Sequence, residues 1–413
     1  MRIPVLSAIL LIVLTVASDL YILKDIRQYL SGKNKRVWYR TYWIFAILCW
    51  ALVVVTLALP RQSEDHSILA IMWLLFSILS LYIPKFIYCI CSLVGRLFGI
   101  KKRRKINYGS LTGVALGGIV FIVMWWGVMF TRHDIVVNQV EIASSKLPES
   151  FDGFKVLQFS DAHVGTWGTD TTFVSRLVDS INSRNADLIV FTGDIVNRKS
   201  SELDSFTSVF KRLKAPYGVI AIHGNHDYGG YVKWKDPSDA NRDAARLDSM
   251  MRSIGWRVLN NRTDFVKAGQ DSIVVIGVEN WGEPPFNQLG DLGKSYPENK
   301  DNLKGLNDYM FKILLTHNPE HWSQVATKIS NIDLSLAGHT HAMQIMLKAG
   351  DWKWSPSQYR YDHWAGLYKD KAKDGNPMNL YVNIGCGEVG FPARIGAAKP
   401  ELTLFVLKRD HNL

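Results

Sequence analysis

Lys155-Val156-Leu157-Gln158-Phe159-Ser160-Asp161-Ala162-His163 is a five-residue β-rich run, 155–159, followed by a turn with a carboxylate and an imidazole two residues apart. A short apolar run of this kind reads as a buried strand, and the turn at its carboxyl end is where an open α/β sheet holds ligands. The pattern recurs four times. Residues 188–191 exit into Gly193-Asp194-Ile195-Val196-Asn197, and 218–222 into Gly224-Asn225-His226-Asp227. Residues 312–316 lead to His317-Asn318-Pro319, and 334–337 to Gly338-His339-Thr340-His341. Apart from His226 and Asp227, these turns offer two Asp, three Asn and four His, and the candidate ligand set takes two Asp, one Asn and four His from them. Carboxylates can bridge two cations, neutral imidazoles bind borderline ions, and an amide oxygen adds a hard ligand without further charge. That mixture favours manganese, iron or zinc over magnesium, and the absence of a cysteine cluster argues against a structural zinc site. One Asp-x-His or His-x-His is weak; five clusters in order, each at a strand end, are specific.

Around these turns the chain from about residue 135 alternates short β-rich runs with amphipathic segments. Further strands are expected at 135–142, 272–278, 380–384 and 402–407, and helices at 171–183, 201–213, 240–254 and 319–327. The polar stretch 279–306 reads as the longest loop, on the substrate side. The whole chain has 413 residues, with 48 Lys+Arg against 37 Asp+Glu, for a formal net charge of +11. A 47% apolar fraction excludes a disordered chain, and four scattered cysteines exclude a disulfide scaffold. The charge excess lies in the first 130 residues, which carry 15 basic and 4 acidic side chains; the remainder carries 33 of each. A basic nucleic-acid-binding domain is therefore excluded, and no nucleic-acid partner is expected.

The first third holds four long apolar stretches, 4–23, 42–59, 67–83 (with a continuation toward 94) and 111–130, each long enough to cross a bilayer. Lys24, Arg27, Lys33, Lys35, Arg36 and Arg40 lie between the first two, and Arg96 with Lys101, Lys102, Arg103, Arg104 and Lys105 lie after the third. Against these 12 basic residues the other side has Arg2, Arg61 and Arg132. The asymmetry predicts cytoplasmic basic loops, both termini outside, and an extracytoplasmic domain after the fourth span. A cleaved signal peptide is disfavoured because it would leave the 24–40 loop outside. Asp19 is expected to pair with Lys24 or another basic residue, and Lys85 to snorkel to the cytoplasmic face. The organisation expected is a four-span domain at 1–132 and a catalytic domain at 133–413.

The order Asp-x-His, Gly-Asp, Gly-Asn-His-Asp, His, Gly-His-x-His resembles the calcineurin-like metallophosphoesterase superfamily. The tail, Tyr381 to Gly387, Phe391-Pro392-Ala393-Arg394 and Pro400-Glu401, is similar to its bacterial cell-surface phosphodiesterase branch. The resemblance implies an α/β (α+β) four-layer sandwich, two mixed β-sheets flanked by helices, here preceded by four transmembrane α-helices. It implies that Asp161, His163 and His341 hold one divalent metal, that Asn225, His317 and His339 hold a second, and that Asp194 bridges them. His226 would face the substrate as catalytic acid, its ring fixed by Asp227. Phosphodiesters or phosphomonoesters would be hydrolysed by metal-activated hydroxide, and tethering at the bilayer points to membrane lipid as a neighbour and to a lipid-linked or cell-envelope phosphate ester as substrate. The branch's Gly-Gly-Gln is replaced by Ala342-Met343-Gln344, which adds bulk beside the metals. A cytoplasmic-facing pyrophosphohydrolase of a nucleotide-linked lipid precursor and a non-catalytic metal-binding membrane sensor remain alternatives. His223 and His363 stand between packing and substrate-side roles, Arg394 between a phosphate contact and an ion pair with Glu401, Trp281 between substrate stacking and loop anchoring. Cys386 reads as a buried thiol.

Overall fold

The computed structural model describes residues 5–29, 34–59, 68–99, 107–282, 288–295, 310–329, 331–372 and 375–410. Arg2, Lys33, Arg61 and Lys101 to Lys105, all used in the charge argument, lie outside the described residues, as does most of the 279–306 stretch. The chain divides into two compact units, one containing residues 1–130 and the other beginning at Thr131.

The first unit is helical: α1 (Val5–Tyr29), α2 (Lys35–Ala58), α3 (Ile68–Gly99) and α4 (Tyr108–Met129). Among the described residues, α2, α3 and the segment containing α4 are long and apolar enough to cross a membrane. α4 meets α3 through Gly109, Gly113 and Gly117. A Cβ on them would lie 2.1 Å from the Cys91 carbonyl oxygen, 2.8 Å from the Tyr88 Cα and 3.0 Å from the Pro84 carbonyl oxygen. Small residues every fourth position let two backbones approach where lipid supplies no hydrophobic drive for helix association.

Two carboxylates sit inside this unit. Asp19 accepts from Tyr42 Oη (2.7 Å), Trp50 Nε1 (2.9 Å), Tyr82 Oη (3.1 Å) and Lys85 Nζ (2.8 Å). The partner is thus Lys85 on α3, not Lys24, and the same bond keeps Lys85 turned inward with its side chain 11% exposed instead of snorkelling. Asp25 accepts from Tyr88, Arg96, Ser110 Oγ (2.8 Å) and Ser92 Oγ (3.2 Å). Each charge withdrawn from water is surrounded by donors, the condition for tolerating it in an apolar medium.

The second unit is built on two six-stranded mixed sheets. The first orders β1 (Val136–Ser144), β15 (Glu401–Arg409), β2 (Lys155–Phe159), β3 (Leu188–Phe191), β4 (Val219–Ala221) and β5 (Trp256–Val258). The second orders β12 (Gly366–Lys371), β13 (Pro377–Val382), β9 (Leu334–Ala337), β8 (Lys312–Leu315), β7 (Asp271–Gly277) and β6 (Arg262–Ala268). A three-stranded sheet joins β11 (Trp352–Trp354), β10 (Ile345–Ala349) and β14 (Ile395–Gly396).

The period of two along each strand assigns side chains to layers. Val156, Leu188, Val190 and Ile220 of the first sheet face Ile273, Val275, Ile313, Leu315, Leu334 and Leu336 of the second in one buried core. Their neighbours Leu157, Phe159, Ile189 and Phe191 point outward onto Phe173, Val174 and Leu177 of α5 (Thr172–Asn182), with Leu247 and Met251 of the 238–253 helix completing that layer. Val274, Ile276 and Leu314 pack outward against Trp322 and Ala326. These central strands are buried on both faces, which is why they read as continuous apolar runs. The expected helix at 201–213 is instead a 3-10 turn at Ser200–Leu203 and one helical turn at Thr207–Phe210. The helix expected at 319–327 is present, running over 320–329 with a π-helical turn, Trp322–Ala326, at its centre.

Candidate metal centre

β2, β3 and β4 are adjacent and parallel in the first sheet, and β8 and β9 are adjacent and parallel in the second, so five strand ends open on one place. The turns that follow them are tight. Asp161, His163, Asp194, His339 and His341 all have left-handed backbones, with φ of 51°, 41°, 62°, 75° and 51°. Non-glycine residues rarely adopt that region, and such residues concentrate where geometry is dictated by a site. Two glycines let the turns close: a Cβ on Gly224 would lie 2.2 Å from Asp194 Oδ1, and one on Gly338 would lie 2.3 Å from Asp161 Oδ2.

The structure brings Asp161, His163, Asp194, Asn225, His317, His339 and His341 together. His163 Nε2 is 3.1 Å from His341 Nε2 and 3.6 Å from Asp194 Oδ2; His341 Nε2 is 3.1 Å from Asp161 Oδ1. On the other side His317 Nε2 is 3.1 Å from both Asp194 Oδ2 and Asn225 Oδ1, and His339 Nδ1 is 3.2 Å from His317 Nε2. The tautomers follow from the far side of the rings. His163 Nδ1 faces the Val196 carbonyl oxygen at 3.0 Å, and His317 Nδ1 faces that of Thr192 at 2.8 Å. Each Nδ1 must therefore donate, which leaves the neutral ring's Nε2 as an acceptor turned inward.

Acceptors that face one another need a cation between them. Asp161, His163 and His341 can offer ligand atoms to one ion and Asp194, His317 and His339 to another, with His163, Asp194 and His226 a third trio between them, each lying within 4.8 Å. The donor set and its tautomers thus fit divalent metal. Electrostatics agree: burial alone would raise the Asp161 carboxyl, but His341 holds it below the usual carboxylate range. Burial opposes a charged His317, yet Asp194 outweighs it and raises the imidazole to about 9, so near neutral pH a proton and a divalent ion compete for His317 Nε2 beside that carboxylate. His339, dominated by burial, falls to about 3.

His226 lies at the edge of this cluster. Its Nδ1 meets the Asn197 carbonyl oxygen at 2.6 Å, and its ring stacks on Tyr231 with centroids 4.0 Å apart and planes 9° from parallel. Asp227 does not touch that ring, contrary to what the resemblance implies. Its carboxylate instead accepts backbone N–H bonds from Asp194 (2.8 Å), Gly224 (2.9 Å), Ile195 (2.9 Å) and Val196 (3.3 Å). Asp227 thereby ties the Gly-Asn-His-Asp turn to the Asp194 turn. The ring-orienting role belongs to Asn197 and Tyr231.

Other candidates part company with their expectations. Arg394 contacts neither a phosphate position nor Glu401: it is fully buried and donates to the carbonyl oxygens of Ile384, Gly387, Ala398 and Lys399, bracing the tail. His363 packs edge-on to Trp322 and Tyr368, while its near neighbour Tyr361 reaches the site, with its hydroxyl 3.2 Å from His339 Nε2. His223 is buried 3.8 Å from Asp248, Trp281 packs on His321, and the Cys386 thiol donates to the Ser160 carbonyl oxygen. Met343 is 40% exposed.

Two mixed sheets whose parallel strands deliver converging imidazoles and carboxylates define a metal-dependent hydrolase. Residues 154–343 match the calcineurin-like phosphoesterase family, and residues 1–132 match the family described as probable calcineurin-like phosphoesterase, transmembrane domain. The chain is 33% identical over 278 residues to the uncharacterized metallophosphoesterase YkuE of Bacillus subtilis, covering 67% of this chain and 86% of that protein. It is 28% identical over 390 residues to a transmembrane protein with metallophosphoesterase domain of Danio rerio, covering 87% and 81% of the two chains. This chain belongs to the calcineurin-like metallophosphoesterases. It is a membrane phosphoesterase with a metal-binding site of His and Asp side chains.

Proposed function

We propose that this phosphoesterase uses two divalent ions, drawn from manganese, iron and zinc, to hydrolyse a phosphodiester or phosphomonoester outside the cytoplasm, on a lipid-linked or cell-envelope substrate. The observation that carries the reading is the convergence of seven acceptors on two adjacent positions with Asp194 between them. Asp161, His163 and His341 would hold one ion, Asn225, His317 and His339 the other, with Asp194 shared. Bound there, the ions supply positive charge to the phosphoryl oxygens and acidify water. The protein's own part is orientation: carbonyl oxygens of Thr192 and Val196 fix two imidazoles, and Asp227 fixes the turn that carries Asp194. His226, held by the Asn197 carbonyl and the Tyr231 ring, would give a proton to the leaving oxygen, a contribution of about 10²–10⁴-fold. The extracytoplasmic placement is supported by the charge of the loops in the first third.

Two measurements test this. A reporter fused after Leu413 should be active only outside the cytoplasm; a cytoplasmic signal favours the pyrophosphohydrolase alternative. Metal-loaded protein should hydrolyse an aryl phosphodiester, and bound metal without turnover would favour the sensor alternative.

A further inference from the structure

We propose that the outer face of the β10–β11 hairpin is a docking surface for the bilayer interface, which presents a lipid phosphate ester to the metal centre. The inference rests on the phosphoesterase reading above and adds the surface through which a membrane substrate would arrive.

The hairpin pairs Leu347 with Trp354, Lys348 with Lys353 and Ala349 with Trp352, and directly opposed residues share a face. Lys353 marks the inner face: its ammonium donates to the Ala365 carbonyl oxygen and lies 5.1 Å and 5.3 Å from the Trp364 and Tyr368 rings. Leu347, Ala349, Trp352 and Trp354 therefore point the other way. Leu347 is 49% exposed and Trp352 57%. Tyr359, 78% exposed, joins them, its hydroxyl accepting from Trp354 Nε1 at 3.3 Å.

Solvent-facing Trp, Tyr and Leu on one short hairpin are unusual on a soluble surface. Trp and Tyr are, however, the side chains that partition to the bilayer interface, with apolar rings at headgroup depth and polar atoms toward water. Lys348 shares the inner face with Lys353, and exposed Arg360 is balanced by Asp351, so the outer face is uncharged and its affinity rests on its aromatic and aliphatic side chains. β11 has three residues, too short an edge to template strand pairing with another chain.

Connectivity links this surface to the chemistry at both ends. β10 begins four residues after His341, and the segment leaving β11 passes from Tyr359 to Tyr361, whose hydroxyl touches His339. β14, the third strand of the same sheet, lies against Thr131–His133, the turn that follows directly on α4. The chain that leaves α4 thus continues directly into the turn that lies against this sheet.

The test uses the full chain reconstituted in phosphatidylcholine vesicles containing phosphatidylglycerol. A nitroxide at Trp352→Cys, in a Cys89→Ala/Cys91→Ala background, should be more accessible to oxygen than to a water-soluble nickel chelate. The same label at Lys214→Cys, on a distant exposed turn, should show the reverse. Equal chelate access at the two positions overturns the proposal. So does spin–spin broadening at 352 that disappears on dilution with unlabelled chain, which would assign the face to a second copy. In a second measurement, Leu347→Ser/Trp352→Ser should lower the ratio of kcat/KM on a vesicle-embedded phosphate ester to that on the detergent-dispersed ester by ~tenfold; a ratio within about twofold of the parent also overturns it. The depth readout needs no turnover, so docking and the substrate reading stand or fall separately.

Discussion

Asp227→Asn separates two roles that its place in the sequence confounds. The substitution keeps the shape of the side chain but turns one acceptor oxygen into an NH₂ group. Asp227 Oδ2 receives the amides of Asp194 and Gly224, and Oδ1 those of Ile195 and Val196, so either amide orientation sets a donor against two buried donors. Hydrogen bonds to a charged acceptor contribute about 1.5–3 kcal/mol each, so two of them cost about 3–6 kcal/mol. At 2–4 °C per kcal/mol for a large domain, Tm falls by roughly 6–24 °C. The lost contacts hold the Asp194 turn, so metal affinity falls as well, by about two to four orders of magnitude if the cost is felt there. Differential scanning fluorimetry and elemental analysis of the purified protein measure both. A variant with full metal content and a Tm within about 2 °C of the parent, yet impaired turnover, would refute this reasoning and return Asp227 to the role of orienting His226.

Three further outcomes are expected. His226→Ala should lower turnover by about 10²–10⁴-fold with metal content intact, since the ring is anchored by Asn197 and Tyr231 at the edge of the cluster; loss of metal in that variant would make His226 a ligand. Burial pushes the Glu388 carboxyl up to about 7 against the pull of Arg132, whose guanidinium lies 2.8 Å away. The folded chain therefore binds this proton more tightly than the unfolded one: the stability it contributes is full below about pH 4.5 and is lost as pH rises toward 7. Tm should decline over that window more steeply than in Glu388→Gln, and parallel profiles would exclude the linkage. In the membrane unit, Lys85→Met leaves Asp19 buried beside neutral donors only and should cost about 3–5 kcal/mol, most of it recovered in Asp19→Asn/Lys85→Met. Unfolding in detergent, followed by circular dichroism, checks the pair; a double variant no more stable than the single one would count against the ion pair.

Much of the fold was legible because the central strands are buried on both faces. Residues 155–159, 188–191 and 334–337 form strands with the bounds that their apolar runs predict. The strands that escaped notice, β5, β6, β10, β11, β12 and β14, are short or half-exposed, and their mixed polarity looks like loop. In the 200–213 region Leu203, Phe206, Val209 and Phe210 have helical spacing, but Phe206 bonds back three residues to Leu203, and the tighter turn breaks the helix. At the site, the candidate ligands announced themselves through side-chain type. The groups that orient them did not, because Thr192, Val196 and Asn197 act through backbone carbonyls that any residue supplies. The ring-fixing role that the resemblance implies for Asp227 is also not seen, because its carboxylate turns to the backbone.

The glycines of the metal-centre turns govern how this enzyme can diverge. At 224 and 338 a single methyl group would occupy the space of a neighbouring carboxylate, and at 193 it would come within 2.8 Å of His317 Nδ1. None of these positions can acquire a side chain without displacing a candidate ligand. Substitutions that alter specificity without disturbing the candidate ligands are therefore confined to the rim, to residues such as Met343 and Tyr361.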